Sequence, residues 1–343
     1  MKSALALLLL SLAREASAFS ALPSASLRAA SVTSTSSSLS AVPSKSNDGE
    51  KNEISNFNIA SRRDFSQTLA TLTAGTFLLS SSPLAAKADS SSSPTVVVAG
   101  ATGQTGRRVL ERLAAQQGTQ VIAAVRNVDK ASKSLSESST VVRGAMIQKV
   151  PSLDAAGIEL RKLDVASDST ADITSVLQGA DSLVIAVGFV PGNPLKMNAA
   201  AHEVDNVGTC KLIDAAKAAG VKKVVMVSSI LTNGRAWGQE KSPGFVVTNA
   251  FGNVLDEKLV AENYLKASGL DYTIVRPGGL KAKPPTGSLK ISGEDTLIAG
   301  EISRDLVADV CVASLTDGKA SKKVLEIIED EESEPKVFNG LNM

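Results

Sequence analysis

The chain has 343 residues, 36 Lys and Arg against 35 Asp and Glu, a single His and two Cys. A net charge this close to zero leaves no basic field for nucleic acid, and one histidine leaves no imidazole cluster for a metal. The cysteines, Cys210 and Cys311, form no C-x-x-C pattern and read as small apolar residues within helices.

The chain opens with Met1-Lys2, the apolar run ALALLLLSLA and the small-residue site Ala16-Ser17-Ala18. A charged start, an apolar stretch too short to span a bilayer and a cleavage site predict a signal peptide over 1–18. Residues 19–88 have the composition of a transit region, and their first part is rich in Ser and Ala with no acidic residue. The junction ASAF (16–19) resembles the bipartite plastid-targeting presequences of algae. The stretch SRRDFSQTLATLTAGTFLLSSSPLAAKA (61–88) resembles a twin-arginine signal for the thylakoid lumen, or it ends a stromal transit peptide. A plastid location is expected, lumen or stroma.

From residue 94 onward, apolar runs alternate with helical patterns. The strands expected are TVVVA (95–99), QVIAAV (120–125), IELRKL (158–163), SLVIAV (182–187), KKVVMVS (222–228), YTIVR (272–276) and KVLEII (323–328). Between them RRVLERLAAQQ, VDNVGTCKLIDAAKAAG and VLDEKLVAENYLKASG have helical periodicity, two of them closing on a glycine. Strands of nearly unbroken Val, Ile and Ala imply burial on both faces, hence a parallel sheet wrapped by helices. The expectation is a doubly wound α/β sheet, a Rossmann fold, in a single domain over 94–330, with an acidic, frayed tail at 331–343. Residues 128–156 read as an unusually long connection with a mobile, Ser-rich start, and 231–252 as a Gly- and Asn-containing stretch. No stable membrane span is expected in the mature part.

GATGQTG places Gly100, Gly103 and Gly106 directly after the first strand and at the start of a helix. The first glycine permits the sharp turn, the second lets backbone amides approach a pyrophosphate, and the third lets helix and strand pack closely. The helix N-terminus adds unpaired N–H donors and partial positive charge. At the end of the second strand an acidic residue would favour NAD, but AAVRN places Arg126 there. A guanidinium at that point can pair with a 2′-phosphate, so NADP(H) is the expected cofactor, with Arg107 and Arg108 adding to the positive field.

Together GATGQTG, LDV (163–165), VDNVGT (204–209), VVMVSSI (224–230) and GLDYTIVRPGGL (269–280) resemble the atypical short-chain dehydrogenase/reductases of the NmrA-like, NAD(P)-binding group over nearly all of 95–316. The resemblance implies that the turn glycines with Thr102, Gln104 and Thr105 hold the pyrophosphate and that Asp164 and Val165 lie against the adenine. It further implies that Ala186, Val187 and Gly188 flank the middle of the cofactor and that Pro277, Gly278 and Gly279 close over the nicotinamide end. Ser228 and Ser229 would lie beneath the nicotinamide, with Lys258 on its ribose, and Ser229 and Lys258 would be the catalytic groups. In the active family a tyrosine precedes this lysine by four residues, and here that position is Val254.

Tyr264 falls on another helical face, Tyr272 reads as core, and Trp237 reads as a pocket lid or a surface residue. Asp205 and Asn206 could face the cleft or simply make a helix face polar. Three functions follow: hydride transfer between NADP(H) and an unidentified small substrate, with segments 231–252 and 281–300 shaping its pocket; a non-catalytic NADP(H) sensor or assembly factor with a protein partner; or, disfavoured by Arg126 and the missing tyrosine, an epimerase. No nucleic-acid partner is expected.

Overall fold

The computed structural model describes residues 93–136, 139–143, 146–150, 153, 157–330 and 332–341. The expected targeting segments at 1–18 and 19–88 lie outside the described residues. In chain order the first half comprises β1 (Thr95–Ala99), α1 (Gln104–Ala114), β2 (Gln120–Val125), α2 (Val128–Ser136), β3 (Ser139–Arg143), β4 (Met146–Val150), β5 (Ile158–Lys162), α3 (Thr170–Leu177) and β6 (Ser182–Ile185). Then come α4 (Met197–Ala201), a π-helical segment His202–Gly208 and α5 (Thr209–Ala218), which follow one another without a break. The chain continues with β7 (Lys223–Val227), α6 (Pro243–Asn249), α7 (Val254–Ala267), β8 (Asp271–Pro277), β9 (Gly279–Lys281), β10 (Ser288–Ser292), β11 (Glu301–Ser303), α8 (Arg304–Ala313) and β12 (Lys323–Asp330).

Eight strands form the main sheet in the order β10-β12-β8-β7-β6-β1-β2-β5. Every neighbouring pair is parallel except β10 with β12. Side chains alternate between two cores, as the two-residue period of a strand requires. On β1, Val96 and Val98 enter the core under α1, α2 and α8, while Val97 and Ala99 enter the core under α3, α5 and α7. On β2, Val121, Ala123 and Val125 join the first core and Ile122 and Ala124 the second. Both faces are therefore apolar along the same strand, which is why these strands read as unbroken hydrophobic runs. The expected doubly wound parallel sheet is what the chain forms.

The stretch 128–156 departs from its expectation. Its Ser- and Lys-rich start is the helix α2, held by Ala131 and Leu135, which are 2% and 0% exposed. Two buried residues four apart suffice for a helical face, and the polar residues around them hide it. After α2, β3 and β4 pair antiparallel as a hairpin outside the main sheet. The end of the chain differs from expectation too: Leu341 is buried in the first core and Phe338 packs against it. β9 and β11 form a further parallel pair, and β10 adds an antiparallel edge strand. No helix among the described residues is long and apolar enough to cross a membrane.

Candidate functional site

From β1 the chain order runs outward in both directions, to β2 and β5 on one side and to β6 and β7 on the other. The loops after β1 and β6 therefore part at the carboxyl edge of the sheet, leaving the crevice where open α/β sheets bind ligands. A cleft of about 380 Å³ lies there, lined by Gly100, Thr102 and Gly103 after β1, Ala124 to Arg126 after β2, Leu163 to Ala166 after β5, and Ala186 to Val190 after β6. Its volume suits a small-molecule ligand.

Each glycine of the first turn has a distinct steric reason. Gly100 adopts φ +82° and packs so closely on the end of β6 that a Cβ would lie 2.7 Å from the Ala186 carbonyl oxygen. A Cβ at Gly106 would lie 2.2 Å from the Gly100 carbonyl oxygen, so only glycine lets α1 begin this close to β1. Gly103 is the N-cap of α1 and supplies no side-chain acceptor. By contrast, Ser169 caps α3 with a full capping box, and Ser242 and Ser303 cap α6 and α8. The first turn of α1 also lacks an acidic residue. Its amides are thus left to an anion. The cradle fits a diphosphate.

Arg126, exposed just beyond β2, lines the cleft, and no acceptor among the described residues pairs with it. Arg107 and Arg108 do not add to this field as expected. Arg107 donates to Glu111 at 3.0 Å and to the Ser134 carbonyl at 2.7 Å, fastening α1 to α2. Arg108 donates to the Gln104 carbonyl and lies 3.4 Å from Asp305 of α8. Both are buried in helix packing, and their charges are answered by carboxylates.

Along the other wall, Asp164 and Val165 line the cleft in a turn braced by Asp168, which accepts from the Asp164 amide at 2.7 Å, and by Lys211 at the carbonyl of Asp168. Ala186, Val187 and Gly188 line it from β6. Asp205 lies behind Gly188: it accepts from the Phe189 amide at 3.0 Å, and its Oδ1 would lie 3.7 Å from a Cβ at Gly188. Lys258 Nζ stands 2.8 Å from that Oδ1, with its side chain 15% exposed. Asp205 is 1% exposed, so it is no part of a solvated helix face.

The remaining predicted residues are placed differently. Ser228 is buried and donates to Glu262, inside a network where the fully buried Arg276 meets Glu262, Glu294, Asp295 and Glu326. Burial works to lower the basicity of Arg276, but its bonds to Glu262 and Asp295 and the charges of Glu262 and Glu294 outweigh it and raise its pKa. Ser229 is half-buried with no side-chain partner for its hydroxyl among the described residues. Pro277, Gly278 and Gly279 do not line the cleft; Gly278 touches the backbone of Gly300, where a Cβ would meet the carbonyl oxygen at 2.4 Å.

Val254 packs beside a small core of Ile230, Leu231, Phe245 and Leu255, and Trp237 packs there too. Tyr264 donates to Asp214 on the outer side of α5, and Tyr272 packs in the core. Burial pushes the Cys311 thiol up to about 12, the opposing charge of Arg112 notwithstanding, and that of Cys210 to about 11, with the charge of Asp214 adding to it, which disfavours the thiolate in both. Ala166, Phe189, Val190, Ala200 and Val204 line the cleft without having been expected there. For Phe189 and Val190 the signal was available, since they continue the loop that leaves β6.

The NAD(P)H-binding family matches this chain over residues 100–150 and 141–318. An uncharacterised chloroplastic protein of Arabidopsis thaliana is 42% identical over 248 residues, 72% of this chain and 80% of the relative. The chloroplastic protein TIC 62 of Pisum sativum is 32% identical over 255 residues, 71% of this chain, which spans only 44% of that relative's length. The crystal structure of an oxidoreductase from Lactococcus lactis shares the fold with a TM-score of 0.55 at 22% identity, covering 70% of this chain and 92% of that one. With the phosphate cradle, the crevice at the strand-order reversal and these matches in hand, the chain belongs to the NAD(P)H-binding Rossmann family, and a nicotinamide dinucleotide is its cofactor.

Proposed function

We propose that this protein is an NADP(H)-dependent oxidoreductase of the plastid that exchanges hydride with a small substrate. One observation carries the reading: a cation with no acceptor among the described residues lines the cleft where β2 ends. Arg126 is unpaired at the adenosine end, beyond a β2 that closes without a carboxylate. Lys258 does not line the cleft; it pairs with Asp205, which lies against the Gly188 backbone. A 2′-phosphate is the group an unpaired guanidinium would select.

The bound cofactor supplies hydride chemistry. Gly100, Gly103 and the amides of Gln104, Thr105 and Gly106 hold its diphosphate, with Thr102 beside them, and Asp164 and Val165 bound its adenine. Ala186 to Gly188 support its middle. Ser229 and Lys258 supply the polar groups at the reacting end, while Ser228 is held by Glu262. Chloroplastic relatives support the plastid reading, which assigns 1–18 and 19–88 to targeting; a mature N-terminus near Asp89, found by mass spectrometry, would agree with it.

Calorimetric titration of the full chain with NADPH and NADH tests the preference. Arg126→Glu is expected to lower the ratio of NADPH to NADH affinity by about tenfold or more, and an unchanged ratio overturns it. Absorbance of the nicotinamide during incubation with quinones, aldehydes and flavins then reads turnover.

A sensor or assembly factor is the second reading. It is favoured by Val254 where a proton donor would stand and by Ser228 being engaged with Glu262. Tight NADPH binding with no turnover of any acceptor would select it.

A further inference from the structure

We propose that the substrate is an uncharged, apolar acceptor, held at the mouth of the cleft between the loop that leaves β6 and the outer face of α6. The inference rests on the oxidoreductase reading above and names its substrate class. In that reading the adenosine lies over β2 and the diphosphate over β1, so the nicotinamide extends towards β6 and β7, the next strands of the sheet. Whatever takes the hydride is then bounded by the segments that follow those two strands.

Both segments lack charge. In a chain with 21% charged residues, neither 182–195 nor 242–255 contains one. A charged group on the substrate would lose its water there without meeting an opposite. Helix α6 is also inside out. A surface helix turns its polar side to water and its apolar side to the core. In α6 the buried residues are Phe245 and Asn249, and the Asn249 side chain is bonded inward, donating to Asp256 at 2.7 Å and accepting from the Leu255 amide at 3.0 Å. Val246 and Val247 are left outside, Val247 62% exposed, and Phe251 just past the helix is exposed as well. Arg235 donates to Asp256 at 2.7 Å and lies over the Phe245 ring, which fixes the helix in this orientation.

The apolar face is continuous with the cleft. A Cβ at Gly252, next to Phe251, would lie 2.6 Å from the Met197 carbonyl oxygen and 3.0 Å from the Ala201 Cβ, so the end of α6 rests on α4. Ala200 of α4 lines the cleft, as do Phe189 and Val190 of the β6 loop. Val190 is exposed too, and Leu195, just ahead of α4, is 95% exposed. Apolar surface therefore runs from the cleft wall to α6, on the side where the reading puts the nicotinamide. Exposed apolar surface joined to a cleft is the mark of a ligand groove.

The test gives the NADPH-loaded full chain two benzoquinones with the same ring, one bare and one carrying a decyl chain. The quinone takes the hydride of NADPH and one proton from water, leaving a quinol and NADP⁺. Binding is read separately by quenching of Trp237, the one tryptophan of the chain, which packs against the cluster that holds Phe245. The decyl quinone is expected to bind about tenfold more tightly than the bare ring, the gain from removing about two methylenes from water. Val247→Asp and Leu195→Asp should each reduce that advantage to about threefold or less, with NADPH affinity within about threefold of wild type. Val337→Asp, at an exposed valine beside Phe338 on the first core, should leave the advantage intact. Equal binding of the two quinones, or the same loss in Val337→Asp, overturns the proposal. So does a mass in light scattering that rises with concentration and falls to one chain in Val247→Asp while the decyl advantage persists, because a second copy then covers the face. NADPH oxidation without a decyl advantage overturns this inference alone. A decyl advantage in quenching while no acceptor oxidises NADPH overturns the oxidoreductase reading and leaves the apolar site standing.

Discussion

The glycine turn after β1 and the buried ion pairs are built from different materials. The phosphate end is backbone: three glycines, an uncapped helix start and a turn whose tightness leaves no room for a side chain. The buried ion pairs are made of side chains whose charges meet across elements far apart in the chain, Asp205 with Lys258 and Arg276 with four carboxylates. A backbone site tolerates no change of shape but contains little chemistry to lose. A site of paired charges tolerates change of shape but not loss of a partner, because the group left behind is buried and uncompensated.

Substitutions in the two regions should therefore fail in different ways. The largest effect is expected in the glycine turn. Gly106→Val would drive a Cβ to within 2.2 Å of the Gly100 carbonyl oxygen, where backbone and not a movable side chain is in the way. Loss of NADPH binding below detection is expected in calorimetry, along with a lowered melting temperature. Retained binding would show that the α1 start can retreat and that the cradle is looser than its glycines imply.

Next in size is Arg276→Gln, which leaves the fully buried Glu262 and Glu326 without their cation. Denaturant unfolding should show a loss of about 3–5 kcal/mol. The folded fraction should still bind adenosine 2′,5′-bisphosphate, because no part of this network touches the phosphate end. Loss of that binding at low denaturant would mean that the two regions are not independent.

The smallest effect is expected for Ser228→Ala. Its hydroxyl donates to Glu262 in a buried setting, so removing it should lower stability by about 1–3 kcal/mol. NADPH affinity should stay within about threefold. A turnover loss of a hundredfold or more, on the order of removing a general acid, with stability unchanged would place Ser228 among the reacting groups and not in the buried charge network.

Much of the fold could be read from residue order, for a physical reason: a strand buried on both faces must be apolar at every position, whichever helices cover it. β1, β2, β6 and β7 announce themselves in this way. So does the cradle, since Gly100, Gly103 and Gly106 are demanded by contacts within one βα unit and need no distant partner. Arg126 was legible too, because its place beyond β2 follows from the same unit.

Other features had no local cause. Arg107 and Arg108 sit beside the cradle in sequence, but whether they serve a phosphate or pack a helix depends on where Glu111, Ser134 and Asp305 come to lie. Ser228 follows the fifth strand of the parallel series as a site residue should, yet Glu262 and Arg276 claim it. A warning was present in the strings YTIVR and KVLEII, apolar strands that carry Arg276 in the first and, beyond the leading Lys323, Glu326 in the second. A charged residue at such a position must find its opposite inside the protein. Which opposite it finds is decided only when β8, β12 and α7 are brought together, and with it which side chains remain for chemistry.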